Sequence, residues 1–375
     1  MKRIQLVLLL AISVLFAGCQ PAWEISLSGL GEEEVLLTHQ VWKEYADFGD
    51  GERVPLEQIL YGMGARIIDQ ITISDPEGGV STFAWDEVSE DAWIFKNGTL
   101  VLAGGEFIPS RLDVSLSPWE EQVQIRIYDL APTAAGALGI PAPELSTGQA
   151  WEVDSADAVL LLFLDGFGYL RYQESLAEGL IPTLANLDPP LVALTTYPPV
   201  TTVSSASLLT GTEPRIHGVE TRGIRKTGQE TLLDVAAAAN LEVAAVEGEA
   251  LAFNLRGAEL TLSGDRDGNG GTDDNVLGNA LSALEAGMPD LFYVHFHGID
   301  DQGHEVGPGA PAEVEKIQEV DAAVGQILDH LPAGTLVIIF ADHGMHRVEE
   351  DGRLGNHGHL IPRDMLIPVW IVRLD

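Results

Sequence analysis

The chain has 375 residues, 46% of them hydrophobic, which exceeds the usual single-domain size, supplies apolar side chains for two cores and excludes general disorder. Its 57 acidic and 20 basic residues give a formal net charge of −37, a field that disfavours nucleic acid and anionic membrane surfaces as partners. An anionic substrate therefore needs a site that creates its own positive potential, which bound divalent cations do because they dominate local electrostatics.

The chain starts Met1-Lys2-Arg3, continues with the apolar run Ile4 to Ala17 and reaches Gly18-Cys19. This order of charged, apolar and small residues predicts an export signal over residues 1–18, too short to span a bilayer. Leu15-Phe16-Ala17-Gly18-Cys19 resembles the lipobox of bacterial lipoproteins, with Phe16 where that motif usually has Leu. The resemblance implies lipidation at Cys19, with cleavage by an ordinary signal peptidase as the alternative that Phe16 leaves, and a bacterial, exported protein anchored to the outer face of the cell membrane, or held in the periplasm or at the outer membrane. Cys19 is the only cysteine, so no intrachain disulfide and no multi-thiolate metal site forms. Loss of residues 1–18 would leave 18 basic and 57 acidic residues, a charge of −39.

Residues 19–130 read as a small, mainly β (α+β) amino-terminal module. Strands are expected at Glu24 to Leu30, Ile67 to Ile73, Gly98 to Leu102 and Val123 to Ile127, with one helix near Leu56 to Met63. Gly51 to Leu56 and Ile71 to Asp75 resemble part of a molybdopterin-binding oxidoreductase domain. Such domains hold their metal with a cysteine and none occurs here, so a binding or spacer module without chemistry of its own is expected. Residues 131–150, rich in Ala, Pro, Gly, Ser and Thr, read as a linker.

Residues 151–375 alternate differently. Ala158 to Leu164, Leu191 to Thr195, Leu241 to Val246, Leu291 to Phe296 and Leu336 to Ala341 are apolar runs of strand length. Helix-compatible segments such as Leu232 to Asn240 and Ala312 to Leu331 separate them, which predicts a mostly parallel sheet flanked by helices. Ligands of such sheets bind beyond the carboxyl ends of the strands. Three of the runs end on candidate metal ligands: Asp165, then Asp300 and His304, then Asp342 and His343. Any one alone reads more often as a helix cap or turn residue. Three such ends together point to a metal centre, because a carboxylate at a buried strand end is costly unless paired or metal-bound.

The motifs in order are Leu164-Asp165-Gly166-Phe167-Gly168; Tyr197 to Thr202 leading into Ser207-Leu208-Leu209-Thr210-Gly211; Pro214-Arg215-Ile216-His217-Gly218; Asp300 to His304 with Gly307-Pro308; Ala341-Asp342-His343-Gly344-Met345; and Asn356-His357-Gly358. They resemble the alkaline phosphatase superfamily, in particular its nucleotide pyrophosphatase/phosphodiesterase (type I phosphodiesterase) and phosphonoacetate hydrolase branch. The resemblance implies an α/β alkaline-phosphatase-like core over residues 151–375. One metal would be held by Asp165, Thr201, Asp342 and His343, and the other by Asp300, His304 and His357. Carboxylate and imidazole ligands suit zinc, with manganese or iron as alternatives. Asp300 and His304 stand one helical turn apart and so share a helix face.

Thr201 is the nucleophile the resemblance implies, and metal coordination would activate its hydroxyl. Thr202 is the rival, with helix N-capping as its plain role. Ser204 to Leu209 reads as a helix start whose free N–H groups favour a phosphoryl group beside Thr201. In the diesterase branch an Asn after the nucleophile binds the phosphoryl oxygen; Ser204 is the nearest substitute here. Arg222, Arg225 and Lys226 form a compact basic group, from which Arg225 is expected either to meet a substrate phosphate or to pair with surrounding acids. His217 reads as a core histidine. His295 and His297 share a strand face and read as core or rim residues, with support of a ligand by one of them as the alternative. His359 is the fallback for His357. Asp265, Asp267, Asn269, Gly270 and Asp273 resemble the beginning of a calcium loop, but Val276 stands where its closing glutamate belongs, so a solvated turn is expected.

The expected function is two-metal hydrolysis of a small phosphate ester, diester or pyrophosphate-like, through a phosphothreonyl intermediate. A phosphomonoesterase or phosphonate hydrolase is the alternative within the superfamily. The contrasting class is a non-catalytic surface lipoprotein that binds a ligand.

Overall fold

A computed structural model describes residues 23–31, 33–350 and 352–374. The expected signal segment and Cys19 lie outside the described residues.

The amino-terminal module alternates apolar and polar side chains, as half-buried strands must. Glu24–Ser28 turns Ile25 and Leu27 inward, and Ile68–Ser74 does the same with Ile71 and Ile73. These two strands belong to a five-stranded sheet ordered Val35–Thr38, Glu24–Ser28, Arg111–Leu116, Ile68–Ser74, Val80–Ala84. Four three-residue strands form a second sheet, ordered Arg53–Pro55, Trp93–Phe95, Leu100–Leu102, Gly105–Phe107. The helix Leu56–Gly62 lies where expected. The strand expected at Val123 to Ile127 is only Ile125–Arg126, and it pairs in parallel with Leu191–Leu194 in the neighbouring sheet.

That neighbouring sheet has eight strands. Its order is Ile125–Arg126, Leu191–Leu194, Leu366–Arg373, Thr335–Phe340, Ala158–Leu164, Leu291–Phe296, Val243–Glu247, Glu259–Leu262. All seven residues of Ala158–Leu164 are buried, as a continuous apolar run requires when both sheet faces are covered. It pairs in parallel on both sides, with Leu164 opposite Phe296 and Phe163 opposite Phe340. Helices flank the sheet, among them Thr201–Thr210, Asp273–Ala286 and Pro311–His330.

Two features depart from the sequence expectations. Leu366–Arg373 enters the sheet antiparallel to both neighbours. Pro368, which cannot donate to a ladder and so argues against a central strand, hides it. The other departure falls in the expected linker: Leu130–Ala137 is an α-helix with every residue but Gly136 buried, packed on the helices Thr201–Thr210 and Leu232–Ala238. Its alanines look like linker composition, yet small side chains are what let helices approach closely. After it, Thr147 N and Gly148 N donate to Gly211 O at 2.9 and 3.0 Å.

One apolar core fills the eight-stranded sheet. The second is centred on the amino-terminal module but also takes in Val192, Leu194, Tyr197, Leu360, Ile361, Met365 and Leu366. The module thus packs on Leu191–Leu194 and the start of Leu366–Arg373, and Ile68 N donates to Leu360 O at 2.8 Å across the junction.

Candidate active site

Three adjacent parallel strands deliver the site. Asp165 follows Ala158–Leu164, and Asp342 and His343 follow Thr335–Phe340; all three residues are at most 2% exposed. Leu291–Phe296 leads into the helix Gly298–Val306, which carries Asp300 and His304. The loops beyond the strands come very close. A Cβ on Gly344 would lie 1.9 Å from Arg363 O, and one on Gly168 2.5 Å from Gly344 Cα. Gly166, at φ 73°, turns the chain directly after Asp165, and its N–H donates to Asp342 Oδ1 at 3.2 Å. The ten-residue helix Thr201–Thr210 begins at Thr201 with Val200 as its N-cap and ends on Gly211 in the left-handed conformation.

The expected ligands form two groups. Asp165, Asp342 and His343 make one, and Asp300, His304 and His357 the other. Thr201 Oγ1 lies 3.4 Å from Asp165 Oδ1 and 3.3 Å from His343 Nε2. Asp300 joins the groups: its Oδ1 is 3.6 Å from His357 Nε2 and 4.0 Å from His343 Nε2, while its Oδ2 is 3.3 Å from His304 Nε2. Each histidine turns Nδ1 to a backbone carbonyl: His343 to Gly344 O at 3.0 Å, His357 to Pro199 O at 2.7 Å, His304 to Gly355 O at 2.8 Å. For His343 and His357 these bonds favour a proton on Nδ1 and leave Nε2 as the acceptor, the tautomer a metal ligand needs, whereas His304 Nδ1 also accepts from Arg353 Nε at 3.0 Å.

The donor set fits divalent cations on a further count. Asp300 Oδ1 and Asp342 Oδ2 are buried without a hydrogen-bond partner, and such orphaned carboxylate oxygens are costly. Burial, reinforced by the charges of Asp165 and Asp300, holds the Asp342 carboxyl well above the usual carboxylate range. A cation would relieve that strain.

Asp165 is treated differently. Burial pushes its carboxyl up, but hydrogen bonds from His295 and His297 outweigh this and hold it well below the usual range. His295 bridges Asp165 Oδ2 and Glu247 Oε1, each at 3.1 Å, and His297 Nε2 lies 2.9 Å from Glu247 Oε2. Glu247, 2% exposed, is held at about 2, because the two histidines overcome the upward push of burial. Burial lowers His297, yet Asp165 and Glu247 raise it well above its ordinary value. Both histidines, expected as core or rim, thus support Asp165. Glu247 went unread, although it ends the apolar run Leu241 to Val246 just as Asp165 ends its own.

Several expected contacts are corrected. Ser204 is fully buried, and its hydroxyl lies 3.0 Å from Thr195 Oγ1, which itself bonds Asp342 O, so it braces a strand end and is closed to substrate. Arg225 is exposed and donates to Leu251 O at 3.3 Å, away from the ligands. From the same basic group it is Arg222 that reaches the site, with Nη2 2.9 Å from His357 Nε2; Arg353 Nη2 lies 2.8 Å from His304 Nε2. Thr202 is buried inside the first turn and is not the N-cap.

His217 is a core histidine, with Nε2 2.9 Å from Ser207 Oγ and Nδ1 accepting from Val219 N, and burial lowers it to about 4. His359 turns to Glu57, leaving His357 among the ligands. In the calcium-like stretch, Asp265 accepts from Gly268 N and Gly270 N, and Asp273 turns inward to His297 N and Gly298 N. Those carboxylates serve backbone turns and a helix start.

Residues 256–370 match the family described as "Type I phosphodiesterase / nucleotide pyrophosphatase". This bears out the resemblance read from the motifs to that branch of the alkaline phosphatase superfamily. The chain is 32% identical over 99 residues to GPI ethanolamine phosphate transferase 3 of Eremothecium gossypii, covering 26% of this chain and 9% of that protein. It is 32% identical over 73 residues to the catalytic subunit of GPI ethanolamine phosphate transferase 3 of Mus musculus, covering 20% and 7%. The matches therefore span less than a tenth of the length of these curated relatives. Among solved structures, phosphonoacetate hydrolase from Sinorhizobium meliloti 1021 aligns with 17% identity over 56% of this chain and 59% of that one, with a TM-score of 0.42. Murine ectonucleotide pyrophosphatase/phosphodiesterase 5 aligns with 16% identity over 52% and 59%, also with a TM-score of 0.42.

The bacterial lipoprotein reading is not supported. The curated relatives above are eukaryotic GPI ethanolamine phosphate transferases. Two basic residues followed by a short apolar run and a cysteine carry too little information to specify lipidation.

Proposed function

We propose that the chain is a phosphoryl-transfer enzyme that cleaves a phosphoric ester, diester or pyrophosphate-like, with Thr201 as nucleophile. Asp165, Thr201, Asp342 and His343 would hold one divalent cation, and Asp300, His304 and His357 a second, with zinc best suited to these donors. The observation that carries the reading is the Thr201 hydroxyl within 3.4 Å of both Asp165 and His343 at the first residue of a helix. When bound, such cations polarise phosphoryl oxygens and ease loss of the hydroxyl proton.

The chain's own groups do the remaining work. Thr201 Oγ forms the new bond to phosphorus as the ester P–O bond breaks, and the leaving oxygen takes a proton. The N–H groups of Thr201 and Thr202, which open the helix Thr201–Thr210, and the positive helix end stabilise charge on the phosphoryl group. Arg222 supplies fixed positive charge beside His357. The resulting phosphothreonine passes its phosphoryl group to water, releasing Thr201. A second acceptor class, an alcohol hydroxyl, is favoured by the curated relatives, which are named as ethanolamine phosphate transferases.

The test is cleavage of bis-p-nitrophenyl and mono-p-nitrophenyl phosphate, with zinc and with a chelator. Cleavage should require metal, and Thr201→Ala should lower kcat between about 10⁴- and 10⁶-fold, the scale for loss of a nucleophile. Undiminished cleavage by that variant rejects the nucleophile assignment. Failure to cleave either ester, with no divalent metal copurifying, rejects the enzyme reading. Adding a simple alcohol separates the acceptors: transfer yields the alkyl phosphate ester in place of free phosphate.

A further inference from the structure

A second histidine cluster lies outside that site, where the amino-terminal module meets the larger domain. Glu90, His346 and His359 bring one ligand atom each to within 4.8 Å of the others. Glu90 comes from the module, and both histidines come from the larger domain.

The two histidines are held in the same way. His346 Nδ1 lies 2.8 Å from Asp364 Oδ1, and His359 Nδ1 lies 2.9 Å from Glu57 Oε2. Both carboxylates are buried, and their other oxygens are occupied. Asp364 Oδ2 accepts from Gly358 N at 2.9 Å and His359 N at 3.0 Å; Glu57 Oε1 accepts from Trp85 Nε1 at 3.0 Å and Leu360 N at 2.8 Å. Anchored carboxylates of this kind fix the proton on Nδ1 and aim Nε2 outward, the carboxylate–histidine support found behind metal ligands. Glu90 Oε1 then sits 3.3 Å from His346 Nε2, and the two rings stand 5.4 Å apart at 66°. The side chains of His346, His359 and Glu90 are 12%, 16% and 40% exposed, which gives an ion a path from solvent.

We propose that Glu90, His346 and His359 form a divalent-cation site of zinc type that clamps the amino-terminal module to the larger domain. Two imidazoles and one carboxylate leave a fourth tetrahedral position for water. The ion would join the two units, because its ligands come from both. None of these residues belongs to the proposed ester-cleaving centre, so the two readings stand independently.

Metal content after dialysis against buffered free zinc tests the site in the wild type, Glu90→Ala and His346→Asn. Both variants should hold one equivalent less than the wild type, and zinc should bind this site at least about tenfold more weakly in them. Zinc should also raise the wild-type melting temperature more than theirs, with ester cleavage unchanged. Equal zinc content in all three proteins overturns the proposal and leaves only an ion pair between His346 and Glu90. Glu90 lies at the surface, so Glu90→Ala decides the matter if His346→Asn fails to fold. An Asp300→Asn, Asp342→Asn double variant should keep this equivalent, so failure of the ester-cleavage reading is read separately.

Discussion

Asp165 faces two ways. Its Oδ1 meets Thr201 and His343, while its Oδ2 is gripped by His295, which Glu247 holds from behind. Glu247 therefore acts on Asp165 through His295. Glu247→Gln should weaken zinc binding at the Asp165 group by about 10–100-fold, the usual cost of removing a group behind a ligand. Competition with a chromophoric chelator measures this, and unchanged affinity would leave Glu247 only a packing role. His217 makes a different prediction. Burial lowers it from 6.5 to about 4, so between those values the folded state binds fewer protons than the unfolded chain. Its contribution to stability is full above about pH 6.5 and is lost as pH falls towards about 4, a change on the order of 3 kcal/mol. His217→Gln should flatten the fall in urea midpoint between pH 7 and pH 4.5.

The carboxylates Asp165, Asp300 and Asp342 were legible because acids at the ends of apolar runs are rare without a partner. Side-chain direction was not legible. Ser204 looked available only until the helix proved to start at Thr201, which turns that hydroxyl to Thr195. Arg222 reaches His357 across 135 residues of sequence, a contact no local pattern encodes.

At the scale of elements, the seven-residue run Ala158–Leu164 was legible as a strand, since a run of that length without polar alternation suits a strand covered on both faces. Leu130–Ala137 and Leu366–Arg373 were masked by composition: alanine with proline reads as linker, and Pro368 reads as a break. The loops that close the site depend on two bare backbones, Gly168 against Gly344. Gly344→Ala would drive a methyl group into Arg363 O, which as backbone cannot swing aside. A loss of about 1–3 kcal/mol, the usual cost of overpacking, should appear in the urea midpoint. Metal affinity should fall with it, because Asp342 and His343 directly precede the displaced residue. Retained stability and affinity would mean that the two loops tolerate separation.

For the molecule as a whole, the amino-terminal core borrows Val192, Leu194, Tyr197 and Leu366 from the larger domain. Units that share a core in this way should not melt apart. Calorimetry should give one unfolding transition whose calorimetric and van't Hoff enthalpies agree; two resolved transitions would show that the junction is weaker than its burial implies.

The antiparallel strand Leu366–Arg373 has a consequence for the order in which the protein is made. It lies between Leu191–Leu194 and Thr335–Phe340, and it is the last of the eight strands in sequence. A growing chain therefore holds two half-sheets with open edges until this strand leaves the ribosome, and such edges invite mispairing. Asp165 and Asp342 can already meet in one half, whereas Thr201 follows a strand of the other. Thr201 is thus brought to Asp165 and His343 only once Leu366–Arg373 has paired with both half-sheets, which delays assembly of the candidate site until the eighth strand has been made.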